Sequence, residues 1–157
     1  MLAVVEAEVP ELSKLPCARE EASMIQKHAS DRQLVIIGTG DNPSSVEAVA
    51  SSLADASFVH FACHGHQDLV NPLESALYLR RGHLTIGKIM ETPLPNAQLA
   101  FVNACETAKG DDSTPDEALH LSASLLFAGF RGVVGTMWYV TFNISSFVLH
   151  ILCQADL

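Results

Sequence analysis

The sequence contains no Cys-x-x-Cys pair, no uninterrupted apolar run of membrane length and no complete glycine-rich phosphate loop. Its four cysteines, Cys17, Cys63, Cys105 and Cys153, stand far apart. That spacing suits free thiols in a reducing compartment better than a disulfide framework. Met1 to Val9 already holds Glu6 and Glu8, so no secretory leader is read there and a cytoplasmic location is expected. The most apolar stretch, Leu121 to Val140, is broken by Arg131 and three glycines, which argues against a membrane span. Gly38-Thr39-Gly40 falls short of a dinucleotide fingerprint, because Pro43 stands where the third glycine belongs. Cations are scarce: 9 Lys+Arg face 18 Asp+Glu, for a formal net charge of −9. Such a surface repels phosphate backbones and anionic lipid, so neither nucleic acid nor membrane is expected as a partner.

What is present is core-forming material. Of 157 residues, 48% are hydrophobic and 17% charged, enough for one domain with a real interior. Strand-like and helix-like segments alternate, the pattern of a mostly parallel sheet covered by helices in an α/β fold. Strands are expected at Leu2–Val5, Leu34–Ile37, Phe58–Cys63, Gln98–Ala104 and Arg131–Trp138. Helical stripes are expected over Ala18–Ala29 and, after an Asn42 cap with Pro43 in the first turn, along Val46, Val49, Leu53 and Ala54. Ala76–Leu79 and His83–Ile86 suit a hairpin, and Ile86–Met90 one helical turn. Thr114-Pro115-Asp116-Glu117 has the makings of a capping box, and the helix it opens is apolar nearly all round, hence expected to be well buried. A last amphipathic stripe runs from Ile144 to Leu152.

Two of the expected strands end in reactive side chains, His64 and Cys105. Open α/β sheets bind ligands at the carboxyl ends of their strands. A thiol attacks as the thiolate and titrates near 8.5 when free, so it needs a base near neutral pH. An imidazole within reach can take that proton and later return it to a leaving amine. Gly65 leaves room for close backbone approach, and the amides of Gly65 and Cys105 are candidate oxyanion donors. Spacing alone does not distinguish this pair from chance, since many non-enzymes carry a His and a Cys at neighbouring strand ends.

Longer stretches carry more information. Val59-His60-Phe61-Ala62-Cys63-His64-Gly65 is followed by Asn71-Pro72-Leu73-Glu74-Ser75-Ala76-Leu77, then by Leu99-Ala100-Phe101-Val102-Asn103-Ala104-Cys105-Glu106-Thr107 and by Ala128 to Trp138. In this order they resemble the CHAT domain, a caspase-like cysteine peptidase family related to separases and often found behind tetratricopeptide repeats. The similarity runs from about Leu15 to Val140 and is closest in character to the fungal branch. It implies a caspase-like three-layer sandwich with helices on both faces of a mostly parallel sheet. It also implies that His64 is the general base, Cys105 the nucleophile, and a protein or peptide the substrate, with no cofactor. Family members carry an Asp shortly after the tryptophan–variable–valine segment; here Trp138-Tyr139-Val140 runs into Thr141. A single domain over residues 1–157, incomplete at both ends, is expected, with tetratricopeptide or other regulatory regions as possible partners.

Neighbouring residues have plainer readings. Cys63 lies on the opposite pleat from His64 and is expected to be a core thiol. His60 is expected to be a hydrogen-bonded core histidine, and His66 and Asp68 solvated loop residues. Glu106, Asp111 and Asp112 either recognise a basic side chain before the cut or are simply solvated. Asn103 either orients the site or is an ordinary strand-end amide, and Trp138 is a candidate wall of the pocket. Cys63, His64, His66 and Cys105 match no common zinc spacing, so no metal is expected. The competing functional reading is a catalytically inactive caspase-like module for interaction or signalling, or a truncated remnant.

Overall fold

The computed structural model describes residues 1–29, 34–40, 44–68, 70–104 and 117–135. Its centre is a five-stranded sheet. Strands β1 (Leu2–Val5), β2 (Val35–Ile37), β3 (Phe58–Ala62), β7 (Leu99–Asn103) and β8 (Gly132–Gly135) lie in the order β2-β1-β3-β7-β8. All neighbouring pairs in it are parallel. β1 is buried along its whole length, which is why it reads as an unbroken apolar run rather than an alternating one.

Helices cover both faces, giving three layers. Helix α1 (Pro16–His28) sets Ala18, Ala22 and Ile25 against Ala3, Val5, Ala62 and Phe101. Helices α2 (Val46–Asp55), α3 (Ile86–Glu91) and α4 (Glu117–Phe127) lie on the opposite face. There Val49, Leu53, Ile89, Leu121 and Leu125 meet Leu2, Val4, Phe61, Ala100 and Val102. This is the sandwich expected from the sequence.

Two local readings need correction. The α2 cap is Ser45, whose hydroxyl accepts from the Ala48 amide at 3.2 Å, and the helix begins at Val46. Asn42 and Pro43 lie outside the described residues. The reason is tertiary: the Ser44 hydroxyl bonds the buried Glu6 carboxylate and holds the chain extended up to Ser45. Helix α4 is also less enclosed than its composition suggests, because Leu125 is buried while Phe127 is 83% exposed.

The feature that positions the site is a change of sheet at Cys63. β3 stops at Ala62, and β4 (His64–His66) belongs to a second, antiparallel sheet with β5 (Ala76–Leu79) and β6 (Gly82–Thr85). The β5–β6 pair is the expected hairpin, and α3 follows it directly, capped by Thr85. His64 therefore opens a new strand, opposite Tyr78, instead of closing the old one. The two sheets share one core, in which Leu77, Leu79 and Leu84 pack with Phe61 and Val102. At the carboxyl end of β2, Gly38 has φ +96°, and a Cβ there would fall 2.1 Å from the Val5 carbonyl oxygen. Only glycine fits that turn.

Candidate functional site

The carboxyl ends of β3 and β7 lie side by side, with Ala62 in register with Asn103. His64 and Cys105 each follow that registered pair by two residues in the sequence. The approach persists past the strand ends: a methyl placed on Gly65 would stand 3.2 Å from Ala104 Cβ. The His64-Gly65 step thus lies against the residue that precedes Cys105. Cys105, Glu106, Asp111, Asp112 and Trp138 lie outside the described residues.

His64 is 1% exposed, and its Nε2 lies 2.7 Å from the Ser13 carbonyl oxygen. A carbonyl oxygen only accepts, so Nε2 carries the proton and donates. In the neutral ring the free lone pair is then on Nδ1, which is buried and has no hydrogen-bond partner among the described residues. The backbone thus selects one tautomer and leaves the lone pair on the other nitrogen.

Ser13 was not visible as a partner in the sequence, because it acts through its main chain. It sits on the loop between β1 and α1, which is folded by a Leu15 amide to Ala7 carbonyl bond of 2.9 Å. At the surface Lys14 of this loop and Arg19 of α1 both contact Glu8, at 3.2 and 2.9 Å. The Lys14 hydrogen bond and the two cations hold the Glu8 carboxyl below its ordinary value.

Beneath the strand ends lies a buried polar group that the sequence pattern reveals only in part. His60 is the expected core histidine, with Nε2 2.8 Å from Glu21 Oε2 and its ring stacked on Phe101. The Asn103 amide donates to Glu21 Oε1 at 2.5 Å. Its side chain is therefore turned towards α1. Glu21 itself was missed. The available signal was its position: it shares the stripe of Ala18, Ala22 and Ile25, where a carboxylate must be buried.

Cys63 is fully buried in the larger core, as expected. Burial, reinforced by the Glu6 charge, pushes its thiol far up, which disfavours the thiolate and suits a core thiol. His66 is exposed at the end of β4, with its ring near Tyr78. Asp68 braces the backbone that follows it, its carboxylate accepting from the Val70 and Asn71 amides at 2.9 and 2.8 Å. Those bonds lower its pKa. Among the described residues no group of three or more His, Cys, Asp and Glu could hold a metal ion. No helix among them is long and apolar enough to cross a membrane. A groove of about 920 Å³ lies elsewhere, between α1 and the β1–β2 edge, lined by residues such as Arg19, Ala22, Gly38 and Arg80.

Comparison with curated proteins finds no match. The family model described as CHAT domain matches residues 4–155.

Proposed function

The chain belongs to the CHAT domain family, a caspase-like, cysteine-peptidase-related family, and from that premise we propose that it is a cysteine endopeptidase with His64 as base and Cys105 as nucleophile. The observation that carries this reading is the 2.7 Å bond from His64 Nε2 to the Ser13 carbonyl, which leaves Nδ1 as the free lone pair. The registered ends of β3 and β7 and the approach of Gly65 to Ala104 support it, since they suit a His and a Cys that act together.

In this mechanism Nδ1 takes the Cys105 Sγ proton and the thiolate attacks the scissile carbonyl carbon. The carbonyl π-bond opens onto oxygen, and the amides of Gly65 and Cys105 donate to that oxyanion. Collapse breaks the C–N bond as the imidazolium returns its proton to the leaving amine. Water, giving a proton to His64, then adds to the thioester carbonyl; the C–S bond breaks, the acid is released, and the imidazolium returns its proton to Cys105 Sγ. Glu106, Asp111 and Asp112 would favour a basic side chain before the cut, and Trp138 would wall its pocket. The cytoplasm is the compartment that keeps such a thiol reduced. Regulatory partners such as tetratricopeptide regions belong to the same proposal.

The test is thiol-directed labelling and peptide turnover by the purified chain. Cys105 is expected to label near pH 7, with His64→Asn about 10-fold to 100-fold slower and Cys105→Ala devoid of turnover. The 1% exposure of His64 favours a second reading, an inactive module in which this ring is structural. Labelling indifferent to His64, together with no cleavage of any peptide in a mixed library, would establish that reading instead.

A further inference from the structure

We infer that Glu21 is a positioning residue for this site, docking α1 on the strands that lead to His64 and Cys105 and thereby setting the seat of the Ser13 carbonyl; the catalytic half of this inference rests on the peptidase reading above.

Three polar side chains from three elements converge on one face of the sheet. Glu21 of α1 is 0% exposed and His60 of β3 is 1% exposed. One carboxylate oxygen takes His60 Nε2 at 2.8 Å, and the other takes Asn103 of β7 at 2.5 Å. The surrounding face is apolar: Ala3, Val5, Ala22, Ile25 and Phe101. Apolar residues of similar volume would often serve stability there equally well or better, so a buried polar trio is better explained by the geometry it specifies.

That geometry concerns the site. His60 precedes His64 by four residues, and Asn103 precedes Cys105 by two. His60 lies two residues from the end of β3, roughly 7 Å at about 3.3 Å per strand residue, and Asn103 is the last residue of β7. The backbone ladder already sets the spacing of the two strands, and each gives one donor to a single carboxylate, so α1 is held in one position over both strand ends. Helix α1 begins three residues after Ser13. The Ser13 side chain is exposed, so its carbonyl is held by the helix start and the loop's own hydrogen bonds rather than by core packing. Moving α1 therefore moves the acceptor that selects the His64 tautomer.

Glu21→Gln is the discriminating variant. It preserves shape and one accepting oxygen but presents NH₂ to the other donor. The full chain, labelled with nitrogen-15 histidine, reports the His64 tautomer directly, with His64→Asn identifying its signals. Wild type is expected to be Nε2–H; Glu21→Gln is expected to give a mixture of tautomers with unchanged circular dichroism. Cys105 alkylation near pH 7 should fall about 10-fold, within the 10²-fold that a 1 Å misplacement can cost, with a displaced pH profile. Glu21→Asp should recover part of both effects. A folded Glu21→Gln with the wild-type tautomer and alkylation profile would overturn the inference. Should Glu21→Gln fail to fold, Asn103→Ala, which frees one oxygen, carries the same two outcomes. If alkylation proves independent of His64, the peptidase reading fails, while the tautomer measurement still decides the role of Glu21.

Discussion

Glu6 and Glu21 are both fully buried carboxylates, yet their surroundings differ. Glu21 is met by two donors, one on each oxygen. Glu6 bonds Ser44 through one oxygen, while its Oε2 has no hydrogen-bond partner among the described residues and Arg80 Nε stays 3.9 Å away. Burial therefore raises the Glu6 pKa, and the Ser44 bond and Arg80 charge only partly oppose it. A carboxyl raised in the folded state binds its proton more tightly there than in the unfolded chain. Its stabilising contribution is complete below the unfolded value of 4.5 and is lost as pH rises through the folded value. Glu6→Gln should thus gain stability relative to wild type on going from pH 4.5 to pH 8, as measured by urea unfolding; a constant difference would show that Glu6 does not titrate in this way. Residue-level legibility was uneven for similar reasons. Cys63 and His60 could be placed from strand alternation. Ser13 could not, because a main-chain acceptor leaves no mark in the side-chain pattern, and Glu21 was hidden among residues that otherwise look like an ordinary apolar stripe.

Element boundaries show where local chemistry suffices and where it does not. The hairpin and α3 were readable because Gly82 and the Thr85 cap act within a few residues. The start of α2 was not, because the choice between Asn42 and Ser45 depends on Ser44 meeting Glu6, a residue 38 positions away. Ser45→Ala is expected to cost about 1 kcal/mol, the usual worth of an N-cap side chain. Thermal unfolding checks this, and a change within a few tenths of a kcal/mol would deny the cap its role. The break between β3 and β4 was also illegible: both segments have strand composition, and only the antiparallel partner β5 reveals that His64 belongs to another sheet.

Across the whole molecule, the two sheets share a core and are expected to unfold as one cooperative body. Leu77 of the small sheet is fully buried with Phe61 of the large one. Leu77→Ala should cost about 2–5 kcal/mol, the range for a buried leucine, and should lower the protection of both sheets together. Native-state hydrogen exchange at the Phe61 and Leu77 amides measures this. Protection lost in β5 and retained in β3 would instead make the hairpin an independent unit. A mostly parallel sheet covered by helices was legible from the alternation of strands and helices, and its three layers from the family resemblance. Alternation led to the carboxyl ends of β3 and β7, but it does not encode that His64 opens a separate strand or that it meets the Ser13 carbonyl.

The buried carboxylate of α1 also acts as a key for that helix. Sliding α1 by one turn in either direction would present Cys17 or Ile25 to the His60 ring in place of Glu21. Either misfit would strand the His60 donor in an apolar layer, at about 1–3 kcal/mol, and would cost Asn103 its bond to Glu21. The alanine-rich packing around it, which by shape alone would tolerate such a slip, is thereby restricted to a single docked position.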